Sequence, residues 1–357
     1  MGGLKKSKRS SEFHGILLVD KPAGMTSHDV VDRVRRIYAT RRVGHCGTLD
    51  PQATGLLVLL LGEATRISEH LMGMDKSYEG TMRLGFTSDT YDAEGEVIPA
   101  PEGWDCPTLE ALQEAATSFT GEIEQLPPPY SAKKVAGKKL YEYARKGEIP
   151  EIEPREVRVD DFEILELTGE NHAVFGVDCS TGTYVRSLLH DLGQKFGCGA
   201  ILTELRRTDF GPFRIEDAHT LQDLEGRTTK ASLAEVVIPI RRAVPQFPPA
   251  YLLPTAEAWV RRGQAIPHNL VQMADDAIPP RGSMVLLCRL NGLEVAVARV
   301  DPAPLSPPPK ALRPAMAPWY QPVKQFSIEP PDEAESGEDV PAPLHREPAG
   351  TEGGDTG

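Results

Sequence analysis

Proline placement is the feature that most limits how this chain can fold. Thirteen of its 32 prolines lie between Pro302 and Pro348, and the last thirty of its 357 residues contain few aliphatic side chains. Such a segment cannot bury enough apolar surface to offset the entropy of ordering it. Four further prolines between Pro245 and Pro254 predict a break between two domains. The predicted organisation is therefore a flexible basic N-terminus (1–11), a large domain (12–246), a small module (247–317) and an acidic, proline-rich disordered tail (318–357).

The formal net charge of −13 argues at first against a nucleic-acid partner. However, the segment Ser327–Gly357 holds nine acidic residues and one basic residue, so most of the negative charge belongs to the predicted tail. Elsewhere the basic residues are clustered, and local potential rather than total charge governs the attraction of phosphates. We therefore expect a polyanionic partner. The basic clusters lie at 5–9, 33–42 and 133–146.

Cysteine spacing and short apolar runs exclude several classes of protein. The five cysteines are at least nineteen residues apart, which argues against a disulfide framework or a zinc ribbon and favours a reducing cytoplasm. The longest apolar run, Leu56–Leu61, is far shorter than the ~18 residues of a membrane helix, so no membrane partner is expected. The sequence also lacks the motifs of P-loop, dinucleotide-binding, zinc-protease and α/β-hydrolase sites.

Periodicity predicts alternating strands and helices in the large domain. Ser27 is the predicted N-cap of its first helix. Residues 125–150 fit neither period, because a triple proline precedes a basic, aromatic stretch, and they predict a long projecting insertion. In the small module, Asn291-Gly292 between two apolar runs predicts a hairpin in a β-rich fold. The other predicted elements are strands at 15–19, 156–167, 173–179, 285–289 and 294–299, and helices at 109–119 and 187–196.

The run Arg42–Gly55 is the strongest candidate for a functional loop. Its three glycines allow tight turns and close approach of a ligand to the backbone. Pro51 biases Asp50 towards an extended conformation, which would present the carboxylate at the end of a rigid loop. Taken singly, an Asp-Pro pair is commonly just a turn, and a lone His45 beside a glycine is more often structural than catalytic.

A resemblance to a known family covers roughly residues 12–215. Gly15–Pro22, Gly24–Ser27, Gly44–Pro51 and Ala53–Leu57 are similar to the opening motifs of the bacterial TruB family of pseudouridine synthases, which modify the T-loop uridine of tRNA. Further similar segments follow in the family's order: Asp75–Tyr78, Tyr130–Lys133, Gly137–Arg145, Gly182–Arg186, Asp191–Gly193 and Leu205–Arg207. The resemblance implies an α/β (α+β) fold, in which helices flank a central mixed, mostly antiparallel sheet and a small β-rich PUA-like domain follows.

The resemblance also implies roles for individual residues. Asp50 is expected to be the nucleophile or base, and which atom of the nucleotide it attacks stays open. Arg186 is expected to pair with Asp50, and Tyr78 to stack on the flipped base. The residues expected to contact the RNA are His45, Tyr184, Leu205, Lys21, Lys133, Lys138 and Lys139, with the lysines of the thumb-like insertion 125–150 closing over phosphates. Because the isomerisation involves neither redox nor hydrolysis, no cofactor or metal is expected.

The implied partner is the T-arm of tRNA, with the target uridine at position 55. The insertion favours a stand-alone, monomeric enzyme over the related guide-RNA-dependent family, which generally lacks it. Two alternatives remain open: a non-catalytic RNA-binding protein on the same scaffold, and a glycosidase, which would need a second catalytic carboxylate. Cys46 stands where the family usually has Thr or Ala. As a small hydrophobe it need not disturb the loop, and a nucleophilic Cys46 is the less favoured alternative.

Overall fold

The computed structural model describes residues 12–131, 134–135, 138–140, 143, 152–274, 278–301 and 319–326. Lys133 and most of the predicted insertion lie outside the described residues, as do 1–11 and everything after Phe326. In the described part of the chain, no helix is both long enough and apolar enough to cross a bilayer.

A nine-stranded sheet forms the centre of the large domain. Its neighbours are antiparallel except for a short parallel pairing of Arg206 and Arg207 with Thr54 and Gly55, so the expected mixed, mostly antiparallel sheet is confirmed. In spatial order the main strands are Gly15–Lys21, Thr54–Leu61, Ala200–Phe210, Lys76–Leu84, His172–Cys179, Arg155–Thr168 and Gly121–Gln125. Val43–Cys46 pairs with 54–61, and Phe213–Arg214 with 200–210.

The strand Thr54–Leu61 is covered on both faces. Leu56, Val58 and Leu60 belong to one core cluster, whereas the alternating Leu57, Leu59 and Leu61 belong to another. Side chains alternate between the faces of a strand, so an unbroken apolar run suits a strand buried on both sides. Burial on both faces fixes the strand that directly follows the Asp50 loop.

Helices pack on the sheet and begin close to their predicted positions. Ser27–Ile37 has Thr26, not Ser27, as its N-cap, with Asp29 completing a capping box. The prediction of Ser27 was one residue late because both residue types cap well and only the backbone turn decides between them. The other helices are Ser68–Leu71, Leu109–Thr117, Val185–Lys195, Leu221–Gly226, Lys230–Ala234, Ile240–Ala243 and Glu257–Arg261, with 3₁₀ turns at Gly62–Ile67, Ile215–Asp217, Pro254–Ala256 and His268–Leu270.

A six-stranded sheet forms the C-terminal module, as the predicted β-rich fold requires. The hairpin at Asn291-Gly292 joins two of its strands. Its last strand, Trp319–Gln325, corrects the predicted domain end at 317 and tail start at 318, because Trp319, Tyr320 and Phe326 are buried. In spatial order the strands are Ile266–Pro267, Trp319–Gln325, Glu294–Asp301, Met284–Arg289, Pro249–Leu252 and Val271–Met273.

Two pairs of short strands lie outside the main sheets. Phe86–Ser88 pairs with Val97–Pro99, and Lys134–Val135 with Lys138–Lys139. The second pair belongs to the predicted insertion beyond Ser131. It gives Lys138 and Lys139 a strand backbone, but their side chains lie outside the described residues.

Candidate active site

The glycine-rich loop is held between strands 43–46 and 54–61 by close backbone packing. Gly47 and Gly55 have φ of 79° and 96°. A Cβ on Gly55 would lie 2.3 Å from the main-chain oxygen of Arg207. Ser27 exchanges two hydrogen bonds with the main chain of Leu49, at 2.9 and 3.1 Å. The loop therefore has little freedom where it turns towards Asp50.

Lys21 lies beneath this loop and does not reach outward. Its side chain is fully buried, and Nζ donates to the main-chain oxygens of Pro22, Met25 and Pro51 at 2.9, 2.6 and 2.9 Å. An ammonium group has three donors, so none remains for a phosphate. Burial lowers the pKa of Lys21. The structure thus corrects the predicted contact of Lys21 with RNA and makes it a brace of the Asp50 loop.

Asp50 and Arg186 come together at the surface of the large domain. Arg186 Nη2 lies 3.0 Å from Asp50 Oδ2, and the Asp50 side chain is 51% exposed whereas that of Arg186 is 8% exposed. The guanidinium also contacts Asp92 Oδ2 at 3.0 Å and donates to the main-chain oxygens of Thr90 (2.9 Å) and Tyr130 (3.2 Å). The buried guanidinium thus faces two carboxylates, those of Asp50 and Asp92.

A cavity of about 880 Å³ opens beside this ion pair. Asp50, Asp92 and Arg186 line it on one side, and Leu205 and Tyr130 are also among its walls. Such a volume suits a nucleotide-sized ligand. Neither Tyr78 nor Tyr184 lies among the described residues that line it.

Tyr78 lies behind Asp50 in the sheet. It stands opposite Val177 and Arg207 on the neighbouring strands. Like Leu205, it packs against two core clusters, the one that contains Leu57 and Leu59 and another that contains Phe175 and Leu188. Burial raises the pKa of Tyr78, Arg207 opposes this by charge and a hydrogen bond, and Asp50 adds to the rise. The phenol is therefore protonated at neutral pH and within electrostatic range of Asp50.

Tyr184 and His45 flank the site. Tyr184 directly precedes the helix that carries Arg186, and its ring faces the Arg155 guanidinium at 4.7 Å. His45 is half-buried on strand 43–46, and its Nδ1 is buried with no hydrogen-bond partner in the described part of the chain. Burial and Arg207 lower the pKa of His45, so the imidazole is neutral at pH 7.

The basic cluster at 33–42 is partly neutralised by neighbouring acids. Arg33 pairs with Glu225, Arg35 with Asp32, and Arg42 with Glu63. Arg36 and Arg41 are exposed. The linear count of arginines therefore overstates the positive potential of this surface, because the acids come from other segments as well as from the same helix.

Cys46 is excluded as the nucleophile. It is fully buried, and burial raises the pKa of its thiol to about 12. Only the thiolate is strongly nucleophilic, so this cysteine is inert at neutral pH. In the described residues, no group of three or more His, Cys, Asp or Glu side chains could hold a metal ion.

Sequence reasoning missed Asp92, Gln125 and Arg207 as site residues. Asp92 follows a polar run between two strands, Asp89-Thr90-Tyr91, which is a signal that could have been used. Arg207 belongs to a recognised motif, yet only the fold shows that it is fully buried and donates to the main-chain oxygens of Leu56 (2.7 Å) and Gly47 (3.2 Å).

Comparisons with known proteins identify relatives of this chain. A family model described as "TruB family pseudouridylate synthase (N terminal domain)" matches residues 35–185, and one described as "tRNA pseudouridylate synthase B C-terminal domain" matches 186–245. The tRNA pseudouridine synthase B of Opitutus terrae is 48% identical over 240 residues, which are 66% of this chain and 97% of that protein. That of Solibacter usitatus is 44% identical over 254 residues, 71% of this chain and 86% of that protein.

Two solved structures resemble the fold across most of the chain. An H/ACA RNP bound to a substrate RNA containing 2'-deoxyuridine aligns with a TM-score of 0.63 and 26% identity, over 88% of this chain and 86% of that one. A Cbf5-Nop10-Gar1 complex aligns with a TM-score of 0.62 and 28% identity, over 90% of this chain and 88% of that one.

Proposed function

The chain belongs to the TruB family of pseudouridylate synthases, and from this premise we propose that it isomerises the T-loop uridine at position 55 of tRNA to pseudouridine. The observation that carries the proposal is the half-exposed Asp50 carboxylate, 3.0 Å from the buried Arg186 guanidinium at the edge of the 880 Å³ cavity. The relatives named tRNA pseudouridine synthase B support tRNA as the substrate.

The chemistry requires one ionised carboxylate. The bond from ribose C1′ to uracil N1 breaks, the uracil turns, and a new bond joins C1′ to C5, while C5 loses a proton and N1 gains one. Asp50 starts this sequence as nucleophile or base, and the Arg186 guanidinium lies 3.0 Å from its carboxylate. Because the product is an isomer of the substrate, the reaction consumes no co-reactant, and neither cofactor nor metal is needed.

The target base must leave its stack to reach Asp50, as base-modifying enzymes generally require. Leu205 would bound the cavity that receives it, and Tyr78 would stack on it from the sheet side. Stacking on an aromatic ring is worth ~1–3 kcal/mol per base. Tyr184, His45 and the lysines of the insertion (Lys133, Lys138 and Lys139) are proposed to hold the surrounding RNA, and phosphate contacts of this kind weaken as salt rises.

We propose that the protein acts in the cytoplasm as a monomer without a guide RNA or a protein partner. The long insertion at 125–150 supports this over the guide-dependent alternative, although two structural neighbours are assemblies with RNA or with Nop10 and Gar1. A non-catalytic RNA-binding role is disfavoured by the retained pairing of Asp50 with Arg186.

Replacing Asp50 tests the proposal directly. Asp50→Asn keeps the shape of the side chain and removes its charge, so pseudouridine formation on unmodified tRNA should fall by about 10³-fold or more. Its tRNA dissociation constant should change by less than about 3-fold, since the group acts on the reacting nucleotide. Pseudouridine would be measured by mass spectrometry, and the dissociation constant by filter binding.

Asp32→Asn is the matched control, because Asp32 is 49% exposed and ion-paired with an arginine away from the cavity. It should isomerise at the wild-type rate. Wild-type activity in Asp50→Asn would disprove the catalytic assignment. A tRNA with cytidine at position 55 should yield no pseudouridine, and product at another uridine would disprove only the assigned position.

A further inference from the structure

Gln125 makes an unusual pair of hydrogen bonds at the edge of the site. It is the last residue of strand 121–125, and its side chain is 1% exposed. Its Nε2 donates to the main-chain oxygen of Tyr184 at 3.0 Å, and its Oε1 accepts from the Tyr184 main-chain nitrogen at 2.8 Å. One side-chain amide thus satisfies both polar backbone groups of a single residue.

The Tyr184 main-chain nitrogen depends on this partner, whereas the Tyr184 main-chain oxygen also accepts from the Leu188 main-chain nitrogen at 3.1 Å. Tyr184 is the N-cap of helix Val185–Lys195, and its own side chain makes no capping hydrogen bond. A buried polar group left without a partner destabilises the folded state. Gln125 therefore holds the turn from which the helix begins.

Two more hydrogen bonds join the same two segments. Ser187 Oγ donates to the main-chain oxygen of Leu126 at 2.8 Å, and Arg186 Nη2 donates to that of Tyr130 at 3.2 Å. The start of the helix is thereby fastened to residues 125–130. Because Arg186 Nη2 also lies 3.0 Å from Asp50 Oδ2, the position of this segment bears on the catalytic pair.

We propose that Gln125 is a positioning residue for the isomerisation: by fixing the backbone of Tyr184 it aims Arg186 at Asp50. It acts through the backbone of Tyr184 and touches neither the cavity nor the reacting carboxylate. The inference rests on the proposed function and deepens it. Since displacement of a reacting group by about 1 Å can cost about 10²-fold in rate, losing Gln125 should impair the chemical step more than RNA binding.

The test is Gln125→Met, which keeps length and apolar packing and removes both hydrogen bonds. The single-turnover rate on tRNA should fall by about 10- to 100-fold, with a dissociation constant within about 3-fold of wild type. Gln113→Met is the control, because Gln113 also donates to a main-chain oxygen, that of Ile164 at 2.8 Å, but makes no hydrogen bond to the start of the helix that carries Arg186. It should leave the rate within about 2-fold of wild type.

A double-mutant cycle with Arg186→Lys separates positioning from general loosening of the fold. If Gln125 acts through Arg186, adding Gln125→Met to Arg186→Lys should reduce the remaining rate by less than about 3-fold. An equal loss in both backgrounds, an unchanged rate in Gln125→Met, or an equal loss in Gln113→Met would overturn the inference. An inactive wild-type protein would instead overturn the proposed function.

Discussion

At the scale of single residues, two buried cations lie behind the loop that carries Asp50. Arg207 is fully buried and Lys76 is 7% exposed, and Phe210 lies between them, with its ring centre 4.7 Å from Lys76 Nζ and 5.5 Å from Arg207 Cζ. Lys76 Nζ donates to the main-chain oxygen of Met74 at 2.5 Å. Burial, followed by Arg207, lowers the pKa of Lys76 from 10.5 to about 8. Because burial disfavours the charged form of Lys76, the free energy of unfolding should depend on the pH at which Lys76 loses its proton.

The difference in the free energy of unfolding between the wild type and the Lys76→Met variant should therefore change with pH. Between pH 8 and 10.5 the unfolded chain binds more protons at this residue than the folded chain, so the wild type gains stability relative to the variant as pH rises. The shift corresponds to roughly 3 kcal/mol in all, at about 1.4 kcal/mol per pKa unit. Urea unfolding of both proteins at pH 7 and pH 10 measures the difference. A difference that does not change with pH would contradict the buried, low-pKa lysine.

At the scale of elements, the first helix contacts the Asp50 loop as well as the core. Thr26 caps helix Ser27–Ile37 by accepting from the Asp29 main-chain nitrogen. The next residue, Ser27, binds the main chain of Leu49, the residue before Asp50. Helix Leu109–Thr117 has the same kind of cap, Thr108, but no such bond to the loop. Of the two capped helices, therefore, only the first is hydrogen-bonded to the Asp50 loop.

Thr26→Ala and Thr108→Ala should each lower the free energy of unfolding by about 1 kcal/mol, because each removes an N-cap hydrogen bond. Only Thr26→Ala should also slow pseudouridine formation, by about 3- to 10-fold, since fraying of its helix end loosens Ser27 and hence the Asp50 loop. Chemical unfolding and single-turnover assays of both variants measure this. Equal rates in the two variants would show that the first helix turn does not position the loop.

At the scale of the whole molecule, the C-terminal module shares a core with the large domain. Leu286, Val297 and Phe326 of the module belong to the same buried cluster as Phe210 and Ile240. Two ion pairs, Lys324 with Glu69 at 3.1 Å and Arg241 with Glu294 at 3.5 Å, span the same interface. The strand Trp319–Gln325 completes the module's sheet by pairing on both of its edges.

Truncation tests this organisation. A chain ending at Phe326 should keep full activity and stability. A chain ending at Ala317 loses three buried aromatic residues and should lose more than about 3 kcal/mol, at ~1.5–3 kcal/mol for each fully buried large side chain. Thermal unfolding and pseudouridine assays of both chains measure this. Equal stability of the two would restore the boundary predicted at 317.

Much of this protein follows from local pattern. Apolar runs and alternation located three strands of the large domain, at 15–19, 156–167 and 173–179, and the Asn291-Gly292 hairpin, because these features depend on neighbours within about ten residues. The motifs around Asp50 and Arg186 identified the family, since those residues recur at fixed places in its sequences. The prediction of where the C-terminal module ends was wrong because local pattern was not enough there. The strand Trp319–Gln325 follows a proline-rich stretch and is specified by partners in the sheet that are distant in the sequence.

Only the tertiary structure decided where the charged groups point. Lys21 is predicted to contact RNA, but in the fold its three donors meet main-chain oxygens. Arg207 belongs to a recognised motif, but only the fold shows that it is fully buried. Gln125 and Tyr184 lie 59 residues apart in the chain, yet they are joined by two hydrogen bonds. The sequence by itself determined the family and the fold class, and it predicts Asp50 as the reacting carboxylate. The fold decided which groups hold that carboxylate in place, because hydrogen bonds between distant segments leave no periodic trace in the sequence.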